Sequence, residues 1–139
     1  MQARHALGAC ADLDRTGFRV IDLTGSHHFE VLVRHCREDP WAFLDAMVEA
    51  MPNSVLRSGM RSNAAVSFAV TPDALMDAWM RQLNRHGMRS FWIYDVLFDT
   101  TRMARLARVA KEFGSEVAGA IMFTLSPVHT DAYYAEKAD

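Results

Sequence analysis

Apolar positions along the chain fall into two kinds of stretch that take turns. Four runs, at residues 18–23, 54–60, 90–97 and 116–125, are apolar or β-branched without clean alternation, as in "FWIYDVLF". Such runs predict strands buried on both faces, the pattern of a parallel sheet. Between them lie "DPWAFLDAMVEAMPN", "TPDALMDAWMRQLNRHG" and "TTRMARLARVAKEFG", which carry helical patterns. On the middle one Leu75, Met76, Trp79, Met80 and Leu83 form a stripe wide enough to cover a sheet. Asp39-Pro40 and Thr71-Pro72 each place a capping residue before a proline suited to the first helical position. Gly87 and Gly114 then supply the left-handed residue that ends a helix. An opening helix is expected from Ala6, Leu7, Cys10, Ala11 and Leu13 on one side.

Strands alternating with helices through right-handed crossovers define the α/β class with parallel strands. Pattern alone leaves a doubly wound sheet and a barrel both open. "GSHHFE" and "RSGMRSN" are too poor in glycine for a dinucleotide cradle, and no GxGxxG or Walker A motif occurs.

Composition narrows the function classes. At 139 residues the chain is one average domain, half apolar and 23% charged. A net charge of −2 and a pI near 6.3 provide no broad basic field, which argues against nucleic acid and anionic membrane as partners. No apolar run approaches the ~20 residues of a membrane span, so no membrane insertion is expected. Cys10 and Cys36 have no close-spaced partners, so a disulfide framework is not expected, the cysteines read as inert, and the cytoplasm is the default compartment.

Four segments carry more specific information: "LDRTGFRVIDLTGSHHFEVLVRHCREDPW", "LRSGMRSN", "HGMRSFWIYD" and "TLSPVHTDAYYAEKA". In order, from about residue 12 to the end, they resemble the biotin-dependent carboxyltransferase family. That family includes oxaloacetate decarboxylase alpha subunits, transcarboxylase, and the carboxyltransferase domain of pyruvate carboxylase. The resemblance implies a (β/α)₈ TIM barrel, an architecture of ~250 residues. The four strands correspond to the second through fifth of the family pattern. Residues 1–139 are therefore expected to form one partial barrel domain, about half a barrel, beginning inside the first helix and stopping inside the fifth.

The resemblance also implies chemistry. Carboxybiotin on a carrier domain or protein exchanges its carboxyl group with a small α-keto acid such as pyruvate or oxaloacetate. A divalent metal, zinc, manganese or cobalt, sits at the carboxyl end of the barrel. Its family ligands are an aspartate, a carbamylated lysine and a His-x-His pair, all in parts without counterpart here, so the metal is expected to be bound outside this chain.

Arg61 falls where the family has the arginine that holds the keto acid. A planar guanidinium suits a carboxylate and its neighbouring keto oxygen, and it stabilises enolate charge. Arg57 is a rival, and a surface arginine is the bland alternative. Phe68 falls on the family tyrosine seven positions later and lacks its hydroxyl. Trp92 and Phe98 stand where the family has arginine and asparagine. Asp95, near a strand's carboxyl end, is a candidate catalytic residue or a structural hydrogen-bond acceptor. Asp22, in place of a family glutamate and inward by alternation with Val20 and Thr24, is a substrate-side or structural acid. His27 and His28 are expected in the solvated loop after the first strand, with substrate contact or chance metal binding as alternatives. His129 is expected to help start the last helix, capped by Thr130 or Ser126. Trp41, Trp79, Trp92 and the methionines read as packing.

These expectations describe part of a carboxyltransferase, inactive alone. A degenerate, non-catalytic homologue serving as scaffold or partner is a second reading. A related metal-dependent barrel lyase or condensing enzyme with another substrate is a third. An open four-stranded sheet leaves two unpaired edges, so a complementary barrel fragment or a homo-oligomer is an expected partner.

Overall fold

The computed structural model describes residues 3–66 and 68–138. The elements run α1 (Ala3–Arg15), β1 (Val20–Gly25), α2 (Ser26–Val31, continuing as a π-helical turn over Leu32–Cys36), α3 (Pro40–Ala50), β2 (Val55–Arg61), α4 (Asp73–Arg85), β3 (Ser90–Tyr94), α5 (Thr100–Glu112), β4 (Glu116–Ala120) and α6 (Asp131–Ala138). The sheet has the order β1-β2-β3-β4 and every neighbouring pair is parallel. Consecutive strands lie side by side, as in a barrel wall, with no reversal of winding.

One face of the sheet makes the core. Leu56 and Met60 of β2 and Phe91 and Ile93 of β3 meet Phe43, Leu44 and Met47 of α3, Met76, Met80 and Leu83 of α4, and Leu106 and Val109 of α5. The opposite face carries Arg57, Gly59 and Arg61 of β2 in register with Ser90, Trp92 and Tyr94 of β3. A closed barrel would turn this second face inward.

Several boundaries differ from the sequence reading. Strands β3 and β4 stop at Tyr94 and Ala120, short of the apolar runs that predicted them. After Tyr94 the chain turns, with Phe98 in the left-handed region at φ 58°, and Leu97 is 80% exposed. Asp39 caps α3 as expected, accepting a hydrogen bond from Trp41 N–H at 2.9 Å. Thr71 does not cap α4: its Oγ1 accepts from Ala65 N–H at 3.1 Å, and the helix begins at Asp73. Leu75 of the predicted stripe is exposed, while Met76, Met80 and Leu83 are buried. Gly87 and Gly114 end their helices at φ 89° and 73°.

The largest correction concerns the segment after β1. His27 and His28 lie in helix α2, not in a solvated loop. Burial of Phe29 and Leu32, one turn apart, forces the helix despite its poor intrinsic propensity. Among the described residues no helix is long and apolar enough to cross a membrane.

Candidate functional site

The carboxyl ends of β1, β2 and β3 form a rim on the face away from the helices. Arg61 and Tyr94, the last residues of β2 and β3, are paired in register. Arg61 Nε donates to the Tyr94 hydroxyl at 3.3 Å, and its Cζ lies 4.1 Å from the centre of the Phe68 ring. The guanidinium is thus held at one edge and supported on an aromatic plane, which fixes its direction at small entropic cost. Among the described residues no carboxylate lies within ion-pair distance of it.

Beneath this pair Trp92 stacks on Tyr94, ring centres 4.7 Å apart and planes 21° apart. Gly59 makes that stack possible, since a Cβ there would stand 2.8 Å from Trp92 Nε1. The Trp92 ring, read from sequence as packing, therefore shapes the rim. A hollow of about 210 Å³ opens between β1 and these rings, lined by Thr24, Gly25, Ser26, His27, His28, Gly59, Trp92 and Tyr94.

The predicted site residues divide sharply. Arg61 and Phe68 come together. Asp95 does not join them: it follows Tyr94, points to the opposite face, and is 4% exposed. Its carboxylate accepts from the Ser62 hydroxyl and from Leu97 N–H at 2.7 Å. Burial pushes this carboxyl up, but hydrogen bonds from Ser62 and from the Asp99 and Leu97 amides, with the Arg102 charge, outweigh it and hold the group below the usual carboxylate range. The contacts of Asp95 organise the turn into α5 and tie it to Ser62 at the end of β2. Asp22 pairs with Arg57, whose Nε lies 3.9 Å away, four residues or about 13 Å along β2 from Arg61. The register irregularity between Asp22 and Thr24 also breaks the alternation expected to align them.

His28 shares a 3.3 Å hydrogen bond with Thr24 Oγ1 and packs edge-on against Phe43. His27 packs against Phe68 with ring centres 4.3 Å apart, and its Nε2 is buried without a hydrogen-bond partner. Tyr94 is the rim residue that sequence reasoning passed over, and His27, weighed there chiefly as a solvated loop residue, packs against the ring that supports Arg61. His129 shares its Nδ1 with Ser126 Oγ at 2.6 Å while Thr130 Oγ1 accepts from Tyr133 N–H, an arrangement that starts α6. Phe98 packs against the His129, Tyr133 and Tyr134 rings, away from Arg61.

The donor set does not fit the divalent metal that the resemblance implies. Among the described residues no group of three or more His, Cys, Asp or Glu side chains is placed to hold a metal ion. His28 is committed to Thr24 and Phe43, and two imidazoles fall short of a protein-held site.

Parallel strands in simple sequential order, helices over one face, and a cationic aromatic rim at the strands' carboxyl ends define a segment of a (β/α) barrel, where such rims carry function. No family model matches the chain. It is 32% identical over 138 residues to a pyruvate carboxylase subunit of Methanocaldococcus jannaschii, covering 99% of this chain and 24% of that protein. It is 30% identical, over 99% of its length and 27% of the relative's, to the methylmalonyl-CoA carboxyltransferase 5S subunit of Propionibacterium freudenreichii. The 2-oxoglutarate carboxylase large subunit of Hydrogenobacter thermophilus is 30% identical over 95% of this chain and 20% of its own. The carboxyl transferase domain of Rhizobium etli pyruvate carboxylase, solved with 3-bromopyruvate, superposes with a TM-score of 0.93 at 23% identity, over 99% of this chain and 24% of that one. The chain is thus a homologue of pyruvate carboxylase, transcarboxylase and 2-oxoglutarate carboxylase subunits, and it spans about a quarter of the length of the curated relatives it matches.

Proposed function

We propose that this chain provides the keto-acid-binding rim of a carboxyltransferase that moves a carboxyl group to or from biotin on a carrier, with pyruvate or oxaloacetate as the substrate type. One observation carries the reading: Arg61 sits at the carboxyl end of β2, positioned by Tyr94 and Phe68, with no carboxylate partner of its own among the described residues. A half-buried, oriented guanidinium without an internal anion is suited to receive an external one. It takes the substrate carboxylate and keto oxygen in a fork and stabilises negative charge that develops on that oxygen. The hydroxyl missing at Phe68 has a substitute, because Tyr94 presents one directly to Arg61. That supply of a polar group favours a working site over a degenerate one. Asp95 serves this reading as the acid that fixes the turn behind the rim, and Asp22 as the partner of Arg57. Relatives named for pyruvate and for 2-oxoglutarate support a keto-acid substrate of variable chain length. Carboxyl transfer also needs a metal that these residues do not hold, so turnover belongs to an assembly with further barrel strands and a biotin carrier, in a cytoplasmic setting. Oxalate or pyruvate titrated into the chain by calorimetry should bind, and Arg61→Ala should weaken binding at least tenfold, the worth of a charge-assisted hydrogen bond pair. Equal affinity in the variant refutes the assignment.

A further inference from the structure

We infer that His27 is a substrate-positioning residue gated by Phe68: when Phe68 swings aside, His27 Nε2 donates to an oxygen of the anion held by Arg61. The inference rests on the reading of Arg61 as the anion-binding residue.

A buried imidazole nitrogen without a partner forfeits a hydrogen bond, a deficit that native structures rarely leave unexplained. His27 Nε2 is the buried side-chain atom in that condition among the described residues. Its position gives the explanation. The imidazole lies on the Phe68 ring at 4.3 Å, and that same ring carries the Arg61 guanidinium at 4.1 Å. A single side chain thus covers the imidazole and occupies the cation. His27 also lines the hollow that reaches Tyr94, the other partner of Arg61. Its neighbour His28 is engaged with Thr24 and Phe43 and has no such vacancy to fill.

The connection between β2 and α4 is built to let Phe68 move. Its stem is tied by Ser26 Oγ to Ala64 O at 3.3 Å, Ala65 N–H to Thr71 Oγ1 at 3.1 Å, and Thr71 N–H to Asn63 O at 2.8 Å. Phe68 at the tip is 79% exposed, so its displacement leaves the stem bonds and the core intact. With Phe68 aside and Tyr94 still holding Arg61 Nε, the anion meets two donors, the Arg61 fork in the guanidinium plane and His27. Nε2 donates either as the neutral Nε2–H tautomer or as imidazolium, so the geometry demands an oxygen acceptor on the ligand.

Oxalate titrated into the ¹⁵N-labelled chain tests this, with the imidazole and Arg61 Nε–H resonances followed together. The His27 Nε2 resonance should move on the same saturation curve as Arg61 Nε–H, while those of His86 and His129 stay. His27→Phe should weaken oxalate binding about tenfold and His27→Gln, which keeps a side-chain donor, should recover most of that loss. In Phe68→Ala the uncovered His27 should react faster with diethyl pyrocarbonate, and oxalate should slow the reaction again. Saturation at Arg61 with His27 unmoved overturns the inference and leaves the proposed function standing. No shift at either residue overturns both.

Discussion

Asp95 offers the sharpest separation between a catalytic acid and a structural one. Asp95→Asn keeps the shape of the side chain, removes the charge, and turns one acceptor into a donor. In the native chain the Ser62 hydroxyl and the amides of Leu97 and Asp99 all point at the carboxylate, with Arg102 nearby. The amide can satisfy some of these donors but not all, and hydrogen bonds to a buried charge are worth about 1.5–3 kcal/mol each. Losing one bond and leaving a donor unsatisfied costs about 2–4 kcal/mol, a large fraction of the ~5–15 kcal/mol that holds a domain together. In a chain of this size that lowers the melting temperature by roughly 10 °C. The sign with pH follows from the lowered pKa of the folded carboxyl. Its contribution is complete above the unfolded value of about 3.9 and drains away as pH falls through that value toward the folded one. Urea denaturation at pH 7 and at pH 3 should therefore show a large gap between native and variant that narrows on acidification. Oxalate affinity at pH 7, measured well below the unfolding midpoint, should be unchanged. A variant that keeps its stability but loses oxalate binding would refute the structural role and return Asp95 to the site.

Two glycines at helix ends and one in β2 give further checks. Gly87→Ala places a Cβ 2.5 Å from Val48 Cγ2 at a left-handed φ of 89°, so conformational strain and overpacking together cost about 2–5 kcal/mol; Gly114→Ala, at φ 73° with nothing within 4 Å, should show the strain alone, about 1–2 kcal/mol in the same urea melts. Gly59→Ala forces the Trp92 indole away from β2 and off Tyr94, which should shift the tryptophan emission and weaken oxalate binding severalfold at a stability cost of about 1–3 kcal/mol; an unchanged spectrum with unchanged affinity would show that the stack does not position Arg61.

The elements whose signals are local were legible in the sequence, and those made by distant contacts were not. Asp39-Pro40 announced α3, and the glycines announced the ends of α4 and α5, because capping is a property of neighbouring residues. Helix α2 escaped because Gly25 and two adjacent histidines read as a loop; burial of Phe29 and Leu32 overrides that weak propensity. The end of β3 escaped because Val96 and Leu97 continue the apolar run although the chain has already turned at Asp95. At the proposed site, Arg61 was named by resemblance, whereas Tyr94 and His27 meet it or its supporting ring from distant stretches of the chain. The one clue to Tyr94 was its phase with Trp92, which becomes informative only once the β2–β3 register is known.

The chemistry of the open face explains why these four strands look like part of a barrel rather than a self-sufficient sheet. At its amino-terminal end Arg19, just before β1, reaches across to Glu116 at the start of β4, with guanidinium to carboxylate distances of 2.6 and 3.0 Å, and Arg57 lies between Ser90 and Asp22. The Arg19 hydrogen bond holds the Glu116 carboxyl below its usual range. Such pairs add little where water reaches them, so an open sheet gains small benefit from arranging its charges so fully. A closed interior removes that water and makes any unmatched charge severe. On the floor each of these arginines already faces an acid, Arg19 with Glu116 and Arg57 with Asp22, while on the rim Arg61 meets the Tyr94 hydroxyl and no acid among the described residues. That is the arrangement an enclosed anion-binding barrel requires. The contrast between the acid-paired floor and the acid-free rim therefore supports the proposal that Arg61 receives the anion, at the end of the strands where barrels carry function, and on that proposal the strands that would enclose it determine whether binding becomes turnover.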